Sequence, residues 1–378
     1  MSSENMTSTE RIAAAIRLEK PDRVPIAPLM STAAAAVLTG QDPCTLAVAG
    51  GHEKLDAELR AFDEYGGWDG VPAPVPTPLD AWPLIGMKVR PATRDRPEVQ
   101  VVEEENTRFE DYDIIAEIGW DRFVTKHLVY RITDWTRPEE VRKAISDFNA
   151  LRDRSHAEYR KRGAVLLFPA WDHHPFFLFS LTRSMVKFTE DLYYRPEKVL
   201  RALNRAVDEF IQVNIDRCKA TGIPSASCNE ERAGAYFYPL AVFERFWWPS
   251  VLKIVDAWWS EGIVTWFHVD TPWDKNLPYF KQLPKGSAVL DLDGTTNVFA
   301  AKDLLRGHLC IASDVHPTLL SLGKPEEVEA YCKKLIEEVG GDGGHILSSG
   351  CTLPGAIKPE NFKAMIETGK TYELSKRR

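Results

Sequence analysis

Three side chains of types that bind transition metals stand at the ends of apolar segments in this chain. His268 and Asp270 close the run 266–270, and Cys351 closes the run 345–351. Residues two apart on a strand point to the same side, so His268 and Asp270 should stand next to each other. An imidazole, a carboxylate and a thiolate at strand ends predict a catalytic zinc site with an open fourth position.

The same three residues also admit a purely structural interpretation. His268 could bond a backbone group, Asp270 could cap a loop, and Cys351 could belong to the core. The choice between the two interpretations depends on whether the fold brings the strand ends together.

Composition and charge limit the class of protein. The chain has 378 residues, of which 27% are charged and 44% hydrophobic, which suits two average globular domains or one large α/β barrel. The net charge of −8 argues against a nucleic-acid partner, because neutralising phosphates requires a surplus of basic residues.

The sequence predicts neither a membrane protein nor a secreted one. Its apolar stretches are too short to span a bilayer, and the first residues lack the basic and apolar regions of a signal peptide. The six cysteines are widely scattered and form no CxxC pair. This pattern is typical of reduced thiols, so we expect a cytoplasmic location.

Short apolar runs alternate with helical patterns along most of the chain, which predicts βαβ units and a parallel sheet. The predicted strands are residues 24–29, 68–71, 163–168, 225–230, 264–270, 288–293, 309–314 and 346–351. Eight such units favour an α/β fold of the TIM-type (β/α)8 barrel class over an open sheet. A dinucleotide-binding fold is disfavoured because no GxGxxG motif follows a strand.

Two regions of the sequence lack this alternation of strands and helices. Residues 1–20 should contain an N-terminal helix, because Thr7 and Glu10 have the spacing of a capping box. Residues 72–160 are rich in proline and charge and predict inserted loops with a small antiparallel pair, which residues 119–130 could continue. With no convincing linker, we predict a single domain over residues 1–378.

Polar residues end nearly every late strand, and in a barrel these ends form the rim of the active site. Glu230 is the candidate for a fourth metal ligand or a proton donor. Asp314 is open between a cap of the following helix and a contact to substrate. Both are predicted to act in catalysis.

Aromatic and imidazole side chains cluster in the loop that follows the predicted strand at 163–168. We predict that Trp171 and Phe176 wall an apolar substrate pocket. His173 or His174 should hydrogen-bond the substrate. Adjacent histidines point in different directions, so this pair is not expected to chelate one ion.

Four stretches of the sequence resemble the uroporphyrinogen decarboxylase superfamily, on its branch of cobalamin (corrinoid)-dependent methyltransferases. They are residues 10–25, 243–256, 314–328 and 344–351. The resemblance runs nearly from end to end and is weakest between residues 60 and 160. It implies a TIM-like barrel, in agreement with the count of predicted strands.

The methyltransferases of that branch are similar in carrying His-x-Cys on one strand and a distant cysteine on the last, all three binding zinc. The resemblance therefore implies a zinc set of His268, Asp270 and Cys351, with Asp270 where those enzymes have cysteine. A carboxylate is a harder ligand than a thiolate and suits a substrate that presents oxygen.

The resemblance, together with aspartate at position 270 in place of cysteine, implies an enzyme that catalyses O-demethylation. We expect it to move a methyl group between a small methylated substrate, such as a methoxylated aromatic, and a corrinoid protein that supplies the cobalamin. Transfer of the methyl group toward a thiol or folate acceptor is the mirror-image alternative.

The decarboxylases of porphyrin metabolism in the same superfamily are the alternative. They hold the substrate propionates with arginines after the first strand and need no metal. Residues 28–36 contain no arginine, which leaves an octacarboxylate without counter-ions. A third possibility is a barrel that serves only as a scaffold for a corrinoid protein.

Overall fold

The computed structural model describes residues 5–72, 75–76, 79–93, 95–96 and 99–372. The rest of the predicted domain, including parts of the insertion at 72–160, lies outside the described residues. The strands are β1 (Gly70–Val71), β2 (Val89–Arg90), β3 (Gln100–Val101), β4 (Val165–Leu166), β5 (Ser225–Ser227), β6 (Val264–Val269), β7 (Ala288–Leu292), β8 (Cys310–Val315) and β9 (His345–Ser349).

Helices occupy most of the chain between the strands. They are α1 (Ser8–Ile16), α2 (Thr32–Leu38), α3 (Pro43–Ala47), α4 (Gly51–Glu64), α5 (Asp111–Ile118), α6 (Trp120–Phe123), α7 (Val129–Ile132), α8 (Pro138–Lys161), α9 (Pro175–Thr182), α10 (Met185–Tyr194), α11 (Pro196–Thr221), α12 (Leu240–Val242), α13 (Trp248–Ser260), α14 (Val298–Leu305), α15 (Pro317–Leu322), α16 (Pro325–Glu338) and α17 (Pro359–Thr371). Short 3₁₀ segments at Leu79–Ile85 and Leu277–Gln282 and π-helical turns at Val124–Leu128 and Phe243–Trp247 complete the set.

The larger sheet is parallel throughout. Strands β5 to β9 lie side by side in chain order, and β1 pairs in parallel with β4. A helix lies between most successive strands, as a parallel connection requires. The predicted α/β class with parallel strands is confirmed.

Hydrogen bonds continue from the named strands into the segments beside them. Ile26 pairs in parallel with Leu347 of β9, and its carbonyl accepts the N–H of Gly70 at 3.0 Å. Beyond β4, His173 pairs in parallel with Asn229, just after β5. Parallel pairing therefore continues beyond the named strands, at Ile26 beside β9 and at His173 beside the segment that follows β5.

Helix α1 begins as the capping-box pattern predicts. The Thr7 hydroxyl accepts the N–H of Glu10, and the Glu10 carboxylate accepts the N–H of Thr7. Ile12 on this helix joins a small apolar cluster with Trp266 and Ala312 on the strands. Helix α1 is therefore packed against the sheet by a buried face.

The insertion contains the predicted antiparallel pair, in which Val89 of β2 lies opposite Val101 of β3. The expectation that residues 119–130 continue it is wrong. They form α6, a π-helical turn and the start of α7. Phe123, Val124 and Leu128 recur at helical spacing and are fully buried, so the apolar period is helical.

Within the described part of the chain, no helix has both the length and the apolar character needed to cross a bilayer. The six cysteines are described, and each of them is a free thiol.

Candidate metal centre

His268, Asp270 and Cys351 come together at one point of the structure. Each offers one ligand atom, and the three atoms lie within 4.8 Å of one another. His268 Nε2 is 3.2 Å from Asp270 Oδ1 and 3.7 Å from Cys351 Sγ. In the described part of the chain, no other group of three such side chains reaches this proximity.

Strands β6 and β9 bring these residues to the same level. The residues from Thr265 to Val269 are buried along β6, and alternation along the strand turns His268 and Asp270 to one side. Gly350 lets the chain leave β9 closely against the backbone of Asp293. A Cβ on Gly350 would lie 2.5 Å from the Asp293 carbonyl oxygen, so glycine is required for Cys351 to reach the cluster.

A second carboxylate fixes the orientation of the His268 ring. Asp291, the residue in register with His268 on β7, places Oδ2 2.9 Å from His268 Nδ1. The indole N–H of Trp266 also donates to this oxygen at 3.4 Å. A carboxylate behind a ligating histidine is the usual partner in metal sites, because it sets which ring nitrogen carries the proton.

Asp291 was not among the site residues predicted from the sequence. The signal was present, because Asp291 stands inside an apolar strand, where a charged side chain is rare unless it is paired. Burial lowers the pKa of His268, but the Asp291 and Asp270 carboxylates outweigh it and raise that pKa well above its ordinary value. The ring nitrogen beside Asp270 and Cys351 therefore attracts a cation, either a proton or a metal ion.

The backbone next to Asp270 is strained and firmly held. Thr271 has a φ of +72°, a conformation that β-branched residues rarely adopt. Its N–H donates to Asp293 Oδ2 at 2.8 Å, and the indole N–H of Trp273 donates to the Asp270 carbonyl at 2.8 Å. These bonds fix the direction in which Asp270 leaves the strand.

The chemistry of the three donors fits zinc. One imidazole nitrogen, one carboxylate oxygen and one thiol sulfur make a mixed set of the kind that catalytic zinc accepts while keeping a fourth position for substrate. Asp270 Oδ1 is buried and makes no well-directed hydrogen bond among the described residues, although His268 Nε2 lies 3.2 Å from it. A bound metal would satisfy that oxygen.

Glu230 lies apart from the three donors. It is fully buried, with Oε1 accepting the backbone N–H groups of Arg232 at 2.9 Å and Ala233 at 3.1 Å. Its Oε2 is 3.7 Å from His174 Nδ1. Burial raises the pKa of Glu230 to about 8. The geometry gives no support to Glu230 as the fourth ligand, because its side chain leaves the strand on the side opposite to His268.

Asp314 does not cap the helix that follows it. The side chain of His316 accepts the N–H of Thr318 at 3.1 Å and caps α15. Asp314 is buried and accepts the Tyr331 hydroxyl at 2.6 Å. Burial raises its pKa to about 7, and the nearby Asp293 carboxylate acts in the same direction. Asp314 is therefore not the cap of the following helix, and contact with substrate stays a prediction.

Trp171 and His173 lie near the candidate metal centre. The Trp171 ring centroid is 5.1 Å from that of His268, and His173 Nε2 is 3.4 Å from Glu231 Oε1. Trp171 and His173 also border a cavity of about 450 Å³ between α8 and α11, to which Phe148 and Phe210 contribute.

His174 and Phe176 are packing residues, contrary to their predicted place in the substrate pocket. His174 is fully buried, caps α9 by accepting the N–H of Phe176 at 3.1 Å, and lies 2.9 Å from the Ser250 hydroxyl. Phe176 is fully buried, with its ring against those of Phe188 and Tyr238. His174 follows the paired residue His173 and points to the opposite side of the sheet from His268, and Phe176 lies within α9.

A family model supplies the context for this site. The model described as Uroporphyrinogen decarboxylase (URO-D) matches residues 174–372, which is more than half of the chain. The chain belongs to the uroporphyrinogen decarboxylase (URO-D) family. The matched range contains the three metal-binding candidates and Asp291, whereas Trp171 and His173 lie just before it.

Two curated proteins named uroporphyrinogen decarboxylase illustrate the relationship. The protein of Geobacter sulfurreducens is 33% identical over 82 residues, and that of Methylococcus capsulatus is 30% identical over 82 residues. These segments are 22% of this chain and 24% and 23% of the two relatives. The chain thus matches about a quarter of the length of these relatives.

The fold of this URO-D family member is also found in a solved structure. A methyltransferase from Methanosarcina mazei superposes with a TM-score of 0.68, covering 97% of this chain and 99% of that chain at 17% sequence identity. The likeness shows that the two chains share a fold over nearly their whole length.

Proposed function

We propose that this URO-D family member is a zinc-dependent methyltransferase that moves a methyl group between a small methylated substrate and a corrinoid protein. The observation that carries the proposal is the approach of His268, Asp270 and Cys351 to within 4.8 Å. The favoured substrate is a methoxylated aromatic, and the reaction is then an O-demethylation. Cobalamin would be supplied by the partner protein.

The proposal includes closure of the sheet into a (β/α)8 barrel over the single predicted domain, residues 1–378. The linked parallel segments support this architecture, because the segment at Ile26 joins β9 to β1 and the segment at His173 joins β4 to β5. In such a barrel the active site lies at the C-terminal ends of the strands. The metal centre stands at those ends.

The residues at and near the centre divide the tasks of the proposed reaction among them. His268, Asp270 and Cys351 would hold zinc, and Asp291 would keep the His268 ring in place. When bound, zinc supplies a Lewis acid for the substrate oxygen. Trp171 would bound the aromatic part of the substrate, and Asp314, whose pKa lies near neutrality, is the candidate for moving a proton.

The nature of the ligands supports an oxygen substrate. A carboxylate at position 270 donates less electron density than a thiolate, so a metal held there is a stronger Lewis acid. Asp270→Cys should shift the preference of the enzyme from methoxylated substrates toward thiols or thioethers. An unchanged substrate profile would contradict the argument from ligand hardness.

The methyltransferase from Methanosarcina mazei, which shares the fold, agrees with the proposal. The curated relatives named uroporphyrinogen decarboxylase favour the alternative, a carboxy-lyase of porphyrin metabolism. The segment at Ile26, where the sequence predicted the first strand, is followed by α2, whose Ala34, Ala35 and Ala36 are fully buried. This alanine-rich helix offers no cation for propionates, so we prefer the methyltransferase. The free cysteines agree with a cytoplasmic location.

The first experiment is the metal content of the purified wild-type protein and of Asp270→Ala and Cys351→Ala. We expect about one zinc per wild-type chain and its loss in both variants. Cys332→Ala, at a buried cysteine of α16, is the matched control and should retain the metal. Absence of metal, with no uptake on adding zinc, would overturn the proposal.

The second experiment tests the reaction itself. Zinc-loaded protein is incubated with a methoxylated aromatic and a corrinoid protein in its cobalt(I) form, and methylation is followed by the change in the corrinoid absorption spectrum. We expect methylation that is lost on removing zinc. Zinc-loaded protein that releases carbon dioxide from uroporphyrinogen and methylates no corrinoid would establish the alternative.

A further inference from the structure

Asn229 lies directly beside His268 in the sheet. Glu230 pairs in parallel with Val269, and its N–H donates to the His268 carbonyl at 2.9 Å. Paired residues of neighbouring strands point to the same side, and successive residues alternate. Asn229 and Glu231 therefore share the side of His268 and Asp270.

The same row extends to His173. His173 pairs in parallel with Asn229, so its side chain also stands on this side of the sheet. Its Nε2 is 3.4 Å from Glu231 Oε1. His173, Asn229 and Glu231 thus form a polar group next to the metal-binding atoms of His268 and Asp270.

The side chain of Asn229 is fully buried, and neither its oxygen nor its nitrogen has a hydrogen-bond partner among the described residues. Its backbone, in contrast, is satisfied by bonds to Asp172 and His174. His173 Nδ1 and Glu231 Oε2 are likewise buried and unpartnered. An unsatisfied buried amide destabilises a fold, so its presence calls for a functional explanation.

We propose that Asn229, together with His173 and Glu231, forms a subsite that binds a hydroxyl group of the substrate. An amide presents both a donor and an acceptor, and a hydroxyl is the small neutral group that matches both. A carboxylate on the substrate is disfavoured, because the Glu231 and Asp270 carboxylates face the same space. The subsite rests on the proposed function, since it places the hydroxyl beside an oxygen bound at the metal centre.

The test compares three probes that differ in one group: 2-methoxyphenol, methoxybenzene and 2-methoxybenzoate. Each is titrated into cobalt(II)-substituted protein, and binding is followed by the visible absorption of the metal. We expect the wild-type protein to bind 2-methoxyphenol about tenfold more tightly than methoxybenzene, because one hydrogen bond in a buried site changes affinity by about that factor. The benzoate should bind most weakly.

Asn229→Leu should abolish the tenfold preference, because a leucine side chain can neither donate nor accept a hydrogen bond. Asn229→Ala is the second variant, in case leucine is too bulky for the site. Metal content and thermal unfolding of the metal-free protein are measured for both. We expect full metal content and no fall in melting temperature for Asn229→Leu, whereas an asparagine with a merely structural role would lower the melting temperature when replaced.

The outcomes separate the subsite from the proposed function. If the variants keep the wild-type ratio between 2-methoxyphenol and methoxybenzene, the subsite is overturned and the function stands. If no probe binds the fully metal-loaded wild-type protein, the oxygen substrate and its hydroxyl subsite are both overturned.

Discussion

The Nδ1 atom of His268 lies 2.9 Å from Oδ2 of Asp291 on the neighbouring strand. This contact turns the other ring nitrogen, Nε2, toward Asp270 and Cys351. The Asp291 carboxylate is fully enclosed and also accepts the Trp266 indole N–H. It therefore sets both the tautomer and the orientation of the imidazole before any metal binds.

Asp291→Asn should weaken zinc binding about 10–100-fold, which is the usual effect of losing the carboxylate behind a ligating histidine. Affinity is measured by competition with a chromophoric chelator. Asp342→Asn, at an ion pair with Lys302 and Arg306, is the control for removing a carboxylate elsewhere. Equal zinc affinity in Asp291→Asn and wild type would show that Asp291 does not position the ligand.

Thr271→Gly should stabilise the metal-free protein while weakening its hold on zinc. Glycine adopts a φ of +72° without the steric cost of about 1–3 kcal/mol that a β-branched residue incurs. Part of that gain is offset by the greater entropy of glycine in the unfolded chain. Chemical denaturation and zinc titration are the measurements, and a variant that loses stability without any change in zinc affinity would contradict the prediction.

Glu230→Gln should change how stability depends on pH. Burial raises the pKa of Glu230 to about 8, from the ordinary glutamate value of about 4.3. The folded protein therefore holds a proton that the unfolded chain releases, so the wild-type free energy of unfolding falls as pH rises between these values. Glutamine cannot ionise, and the variant should be more stable than wild type by about 1–3 kcal/mol at pH 8.

The measurement is urea denaturation at pH 5 and pH 8. Glu367→Gln, at an exposed carboxylate of α17, is the control for replacing glutamate with glutamine. If Glu230→Gln is less stable than wild type at pH 8, then the carboxylate is ionised in the fold.

Phe176→Ala and Trp171→Ala should separate packing from substrate contact. Phe176 is fully buried, so its truncation should cost about 3–5 kcal/mol of stability and leave the metal content unchanged. Trp171 is only partly buried, and its truncation should weaken the binding of a methoxylated aromatic while costing less stability. Both variants are measured by chemical denaturation and by titration with the probe. A larger loss of stability in Trp171→Ala, with weaker probe binding in Phe176→Ala, would contradict these roles.

The sequence by itself determined which residue types could form the centre. His268 and Asp270 were expected side by side because strand residues alternate in direction. Cys351 was expected near them because parallel strands end at one edge of the sheet. The alternation of strands and helices also predicted the α/β class, since apolar periodicity is a local property of the chain.

Only the tertiary structure decided which neighbours face the centre. Glu230 pairs with Val269, which leaves Asn229 beside His268 and turns Glu230 away. Register comes from pairing between distant segments, and a shift of one residue exchanges the two sides of a strand. Asp291 reaches His268 through the same kind of long-range register, and no local pattern specifies such a pairing.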